Sequence, residues 1–365
     1  MAKRLLNLRY KFLSEFEKIE FMSHIYVYSP SSRVVDKAAF KRGIKRLEAL
    51  GHEVELDADV LTGHLRFAGD DATRIAAISR AAASGAEVAL TSRGGYGISR
   101  ILGGIDYKAI AKAINPSKGQ GTLFVGYSDF TALQCALLAK TGASTWAGPS
   151  VCGDFGQIVE KDGSPDCIME ACFDDLVIGQ GEGAGWRMPV EKSSTESKNT
   201  IKNIATKAIN TPATGKNTSK TGNFNINNAT LWGGNLCVLT SLVGTPYLPA
   251  CATDKSGILF IEDVAEHPYR IERNLTQLLH AGILGKQKAI IFGQFTNYKL
   301  FPPADKGYKL QSVVDWLRTQ VKCPVLTGLP MGHVATKVVL PFGEKVTLAF
   351  DGSQGRGRDA LLVWG

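Results

Sequence analysis

HIYVYSPSSRVVDKAAFKRGIKRLEALGHEVEL, residues 24–56, runs from a strand pattern into a helix pattern and back into a strand. HIYVYS (24–29) has the β-branched and aromatic content of a strand. DKAAFKRGIKRLEAL (36–50) spaces its apolar residues as an amphipathic helix does, and HEVEL (52–56) reads as a short strand. The alternation continues outward. DATRIAAISRAAAS (71–84) predicts a helix, AEVALTS (86–92) a strand, TLFVGY (122–127) a strand and DFTALQCALLAKTG (129–142) a helix ending at Gly142. STWAG (144–148) closes the series as a strand, and DCIMEACFDDLVIG (166–179) adds a helix. Repeated βα units specify a parallel sheet covered on both faces, an α/β domain of flavodoxin- or Rossmann-like kind. Ligands of such sheets bind beyond the carboxyl ends of the strands, so the loops that follow strands are where a site is expected.

The pattern changes after this domain. Residues 186–228 are rich in Ser, Thr, Asn, Lys and Gly and poor in apolar residues, so 183–228 reads as a polar, basic insertion or linker. Beyond it come the strand GILFIED (257–263), the helix PYRIERNLTQLLHAG (268–282), the strand AIIFG (289–293), a helix around SVVDWLRTQ (312–320) and the strand PVLTG (324–328). The end is β-rich, with KVVLPF, KVTLAF and ALLVWG. The expected organisation is an extension over 1–21, an α/β domain over 22–182, the insertion over 183–228, and a C-terminal mixed α/β, β-rich domain over 229–365.

A chain of 365 residues with 44% hydrophobic and 21% charged residues has the material for about two globular domains. The formal charge of +8 invites an acidic polymer as partner, but it is local. Residues 1–21 hold five basic and three acidic side chains, and residues 183–228 seven and two, which leaves about +1 on the rest. The seven cysteines include no CxxC pair. Several, such as Cys135 and Cys237, sit in apolar runs, so buried thiols are expected rather than a metal or redox site. No apolar run reaches the roughly 18 residues of a membrane span. Glu15, Glu17, Lys18 and Glu20 interrupt what would be the apolar core of a signal peptide. A cytoplasmic protein is expected, with residues 1–21 as an appended helical extension or a start read too early.

Four stretches carry candidate chemistry. Ser128 stands between the strand LFVGY and the next helix, where a serine hydroxyl is exposed above the sheet and the Asp129 N–H points the same way. The competing reading is that Ser128 caps that helix. SRGGYG (92–97) follows the strand AEVALT, and its glycines would let backbone N–H groups face a ligand; a tight turn explains them equally. His333, in the loop GLPMGHVATK, is a candidate general base or an exposed loop residue. Glu262 and Asp263 end the strand GILF, where either would orient a histidine or cap the next helix; Glu266 and His267 are less favoured. His24, His52 and His280 read as structural, and His64 lies in a loop.

These stretches, with SPSSR (29–33), FAGDDATR (67–74), SRGGYGISRIL (92–102), GYSDFTAL (126–133), GGNLCVLTSLVGTPYLP (233–249), ILFIEDVAEHPYRIER (258–273) and GLPMGHVATKVVLPFGEKVTL (328–348), resemble the LD-carboxypeptidases, serine peptidase family S66. The resemblance runs from about residue 24 to the end, except for the insertion. It implies Ser128 as nucleophile, Glu262 as the acidic member of a triad and His333 as base, with the backbone N–H groups of Gly95 and Asp129 as oxyanion hole. It implies no metal and no cofactor, and a cytoplasmic murein tetrapeptide as substrate, cut to release D-alanine in peptidoglycan recycling. It admits a homodimer, and it implies neither a nucleic-acid nor a membrane partner. An exopeptidase also needs a cation for the substrate's terminal carboxylate, for which Arg93 and Arg270 are candidates. The segment STWAGPS lacks the histidine often found before Gly-Pro in the family, and the basic insertion is longer than expected. Three alternatives stay open. One is a microcin-immunity peptidase of the same family acting on a peptidyl-nucleotide conjugate. The others are a nucleic-acid-binding protein using residues 183–228 and a non-catalytic sugar- or peptide-binding module.

Overall fold

The computed structural model describes residues 22–117, 119–158, 165–188, 222–352 and 358–365. The expected extension over 1–21 and the body of the polar insertion, 189–221, lie outside these residues.

The first sheet has six strands. They are β1 (His24–Tyr28), β2 (Glu53–Leu56), β3 (Val88–Thr91), β4 (Leu123–Gly126), β5 (Thr145–Ala147) and, from far along the chain, β11 (Leu340–Phe342). The order is β11-β5-β4-β3-β1-β2, and all neighbours are parallel except β11, which runs antiparallel to β5. The 2-1-3-4-5 core is the flavodoxin-like winding, whose switch point lies between β1 and β3. Helices Lys37–Ala49 and Asp71–Ala83 begin at Asp36 and Asp70, whose carboxylates accept the N–H groups of Ala39 and Thr73. Both β1 and β3 are buried almost throughout, as strands covered on two faces must be.

The second sheet takes β6 (Gly183–Met188), β7 (Phe224–Asn235), β8 (Gly257–Val264), β9 (Ala289–Thr296), β10 (Val325–Leu326), β12 (Lys345–Asp351) and β13 (Arg358–Val363). Its order is β10-β9-β8-β7-β12-β13-β6. β7 to β10 are parallel, while β12, β13 and β6 add antiparallel strands, so the sheet is mixed. The chain thus has the α/β architecture read from its sequence, with two crossings that a cut at 182 and 229 does not follow. Both ends of the stretch read as a linker are strand: GAGWRM alternates exposed and buried residues along β13, and Phe224–Asn228 begins β7. β11, from the C-terminal part of the chain, joins the first sheet.

The helix Thr131–Thr141 binds the two halves. Its residues from Thr131 to Leu137 are all buried, because it lies between the first sheet and the elements of the second. Thr131 Oγ1 accepts the N–H of Asn235, at the end of β7, at 3.0 Å. An all-round apolar segment such as TALQCALL is what that position requires. All seven cysteines are free. Cys135 is buried, but Cys237 is exposed, contrary to expectation. It lies on the outer side of the short helix Leu236–Ser241, which turns Leu236 and Leu239 inward. Among the described residues no helix is long and apolar enough to cross a membrane.

Candidate active site

Ser128 follows β4 and Tyr127 and opens the 3₁₀ turn Ser128–Phe130. Its φ is +63°. A side-chain-bearing residue held there costs about 1–3 kcal/mol, a strain that surrounding structure must sustain. Ser128 does not cap the helix: Phe130 occupies the cap of Thr131–Thr141 and no side chain bonds there. Instead the hydroxyl projects over the end of the sheet, close to Gly94, where an added Cβ would lie 2.8 Å from Ser128 Cβ and 3.0 Å from Oγ. Position 94 is therefore glycine for room.

The second sheet supplies two further groups. Glu262, near the end of β8, is about 1% exposed. His333 lies in the loop between β10 and β11, half-buried. The imidazole Nδ1 stands 2.8 Å from Glu262 Oε2, and Nε2 stands 3.2 Å from Ser128 Oγ. A carboxylate only accepts, so Nδ1 carries the proton toward Glu262 and the Nε2 lone pair faces the serine hydroxyl. Tyr127 supports the ring, its centroid 5.0 Å from that of His333. The three residues, 205 and 71 positions apart in sequence along this line, meet where the two halves of the chain join.

Strand alternation turns Asp263 away from His333. Its carboxylate accepts from Asn235 Nδ2 at 2.9 Å, from the Cys237 N–H at 3.0 Å and from its neighbour Val264 N–H at 2.9 Å. Asn235 Nδ2 also reaches Glu262 Oε1 at 3.4 Å, bracing both acids. Burial, and then the charge of Glu262, push the Asp263 carboxyl up to about 6. A carboxyl raised in the folded state keeps its proton there after the unfolded chain has lost it, so stability falls as pH rises from about 4 to 6. Relative to Asp263→Asn, the wild type should lose up to about 3 kcal/mol over that window and no more above it. Denaturant melts of both proteins at pH 4, 5, 6 and 7 measure this, and parallel curves would contradict it.

The loop Ser92–Gly97 completes the surroundings. Gly95 has φ +120° and is exposed at the loop tip, a conformation open to glycine. Ser32 Oγ accepts the next N–H, that of Tyr96, at 3.0 Å. The Asp129 side chain is about 1% exposed and accepts the Ser31 hydroxyl at 2.5 Å and the Ile98 N–H at 3.0 Å. It ties together the loops that follow β1, β3 and β4. Burial raises its carboxyl above the usual range, opposed by those two hydrogen bonds.

The other candidates stand apart from this group. His267 pairs with Asp305 at 3.1 Å and caps the helix Pro268–His280. His24 bonds Glu55, His52 packs on Phe173, and His64 bridges to Phe67. Arg270 is exposed, with Nε on Tyr269 Oη at 3.2 Å and Nη1 3.8 Å from Glu266. Arg93 is half-buried beside the glycines, and its Nη1 bonds the Arg33 carbonyl at 3.3 Å. Among the described residues no group of three or more His, Cys, Asp or Glu gathers to hold a metal. Sequence reading overlooked the side chain of Asp129 and the bracing by Asn235. It also gave no role to Ser31 and Ser32, although they follow β1 at the switch point.

The profile of the LD-carboxypeptidase N-terminal domain matches residues 25–148, and that of the LD-carboxypeptidase C-terminal domain matches residues 228–348. A "probable murein peptide carboxypeptidase" of Bacillus subtilis (strain 168) is 30% identical over 304 residues, covering 83% of this chain and 81% of that protein. The microcin C7 self-immunity protein MccF of Escherichia coli is 30% identical over 262 residues, covering 72% and 71%. The crystal structure of muramoyltetrapeptide carboxypeptidase from Oxalobacter formigenes superposes with a TM-score of 0.71 at 32% identity, covering 94% of this chain and 99% of that one. This chain therefore belongs to the LD-carboxypeptidase family, peptidase family S66.

Proposed function

We propose that this carboxypeptidase is serine-type and hydrolyses the L,D-peptide bond before a terminal D-alanine of murein tetrapeptide, in peptidoglycan recycling. The observation that carries the reading is the line Glu262 Oε2, His333 Nδ1, His333 Nε2, Ser128 Oγ, with distances of 2.8 and 3.2 Å. Ser128 Oγ attacks the scissile carbonyl while His333 Nε2 takes its proton. The tetrahedral intermediate collapses as His333 returns that proton to the leaving D-alanine amine. Water, deprotonated by the same imidazole, then releases the acyl group from Ser128. Glu262 holds the productive tautomer and stabilises the imidazolium. The N–H groups of Gly95 and Asp129 receive the oxyanion, each worth roughly 2.7–4 kcal/mol. No step needs a metal or cofactor. The test is mass spectrometry of murein tetrapeptide after incubation with the enzyme: loss of one D-alanine supports the reading, and an intact peptide rejects it.

Arg93 anchors the terminal carboxylate in this scheme. It follows β3 on the same loop as Gly95, its Nη1 bonds a carbonyl, and among the described residues it forms no ion pair, leaving its charge for an incoming anion. Losing a charged hydrogen bond of about 1.5–3 kcal/mol should raise KM roughly 10–100-fold in Arg93→Met, with kcat little changed. The variant should also lose the preference for a free C-terminal carboxylate over its amide. Steady-state kinetics on both peptides check this, and an unchanged preference would remove Arg93 from the scheme.

The similarity to MccF over 72% of this chain favours a second reading, hydrolysis of a peptidyl-nucleotide conjugate by the same three residues. Turnover of such a conjugate in preference to the tetrapeptide would establish it.

A further inference from the structure

Lys337 lies four residues beyond His333 on the same loop and is wholly buried. Its ammonium is paired with Asp154, also buried, in the turn Val151–Phe155 that follows the first sheet. Asp154 is itself fixed, accepting the Ser150 N–H at 2.7 Å and the Ser150 hydroxyl at 3.1 Å. The turn is seated against the helix Lys37–Ala49, where a Cβ at Gly43 would meet the Val151 carbonyl at 2.6 Å. Lys337 Nζ also stands 3.9 Å from the centre of the Tyr127 ring, within cation–π range. The Tyr127 ring therefore contacts the Lys337 ammonium and the His333 imidazole, and its backbone immediately precedes Ser128.

A buried ion pair is a poor source of stability, since desolvation offsets most of the attraction. Its effect here is geometric. The loop that carries the imidazole belongs to the second half of the chain, and the serine belongs to the first. We infer that Lys337 and Asp154 are positioning residues, which, through Tyr127, hold the His333 loop in register with Ser128. This rests on the reading of Ser128 as nucleophile, and it adds the device that keeps a two-part site aligned.

The test removes both charges together, because a single substitution would strand the other charge in the core. Lys337→Met/Asp154→Asn keeps the side-chain shapes, and the amide oxygen still accepts from Ser150. The double variant should melt within a few degrees of wild type, as neutral replacements of buried pairs often do. Its phosphonylation by a fluorophosphonate, in which Ser128 Oγ attacks phosphorus, fluoride leaves and His333 takes the proton, should slow about 10–100-fold, the size of effect that a misplacement near 1 Å produces. On the tetrapeptide, kcat should fall by a similar factor with KM unchanged. Labelling at the wild-type rate in the folded double variant would overturn the inference. If that variant does not fold, Tyr127→Leu carries the test. It leaves the ion pair intact but removes the ring between it and His333, and wild-type labelling there would overturn the inference equally. Failure of wild-type Ser128 to be labelled would sink the nucleophile reading and this inference together. Labelling without D-alanine release would sink only the substrate assignment.

Discussion

On the proposed reading, Ser128→Ala should all but abolish D-alanine release while leaving the protein folded. Only the hydroxyl is removed, and its hydrogen-bond partner is the half-buried His333 side chain, about 21% exposed, where water can take its place. Losing one such bond costs about 1 kcal/mol, and the left-handed backbone at φ +63° is no harder for alanine than for serine. The melting temperature should therefore move by only a few degrees. Activity should fall by roughly 10⁴-fold or more, to the residue that an oxyanion hole and substrate binding sustain without a nucleophile. Ser128→Ala/His333→Ala should be no slower than either single variant, because the two residues act as one unit. Kinetics by D-alanine release, with melting curves for each protein, decide the matter. Turnover near the wild-type rate in Ser128→Ala would remove this serine from the chemistry.

Much of this arrangement could be read from local pattern. The βα alternation over 24–148 specifies a parallel sheet, and that sheet in turn singles out the residues after its strands: SPSSR, SRGGYG and Ser128. What stayed hidden depends on pairings distant in sequence. GAGWRM reads as the start of the polar insertion, because nothing local says that it pairs as a strand with β13, 172 residues on from Arg187 to Asp359. KVVLPF indicates a strand without saying that Leu340–Phe342 crosses to the first sheet. By local pattern alone Glu262 and Asp263 are equivalent, both ending an apolar strand, and only the family resemblance singles out Glu262. Only the placement of β8 between β7 and β9 turns one toward His333 and the other toward Asn235 and Cys237. The positive φ of Ser128 and the stitching by Asp129 were beyond reach for the same reason. Asp129 is 98 residues from Ser31 and 31 from Ile98, so no local pattern encodes either bond.

That difference between the two acids sets up Glu262→Gln, which should lower kcat by roughly 10⁴-fold with KM nearly unchanged. Glutamine has almost the shape of glutamate, so the buried site stays filled, and Asn235 keeps an amide oxygen to bond. Two things are lost. An amide can present its N–H₂ to Nδ1, which drives the imidazole to carry its proton on Nε2, facing Ser128 with no lone pair to accept the hydroxyl proton. The imidazolium formed during attack also loses the buried negative charge 2.8 Å away. Asp263 cannot substitute, since its oxygens are committed to Asn235, Cys237 and Val264 on the other face of the strand. The substitution carries a second signature. Part of what pushes the Asp263 carboxyl up to about 6 is the charge of Glu262, so in Glu262→Gln the Asp263 midpoint should fall. Folding stability should then still fall as pH rises from about 4, but over a narrower window that ends below pH 6, while kcat stays low at every pH. Carboxyl NMR titration and pH-resolved kinetics measure the two effects separately. A rate within tenfold of wild type would mean that Glu262 does not orient His333, and an unmoved Asp263 midpoint would mean that the two carboxyls do not feel one another.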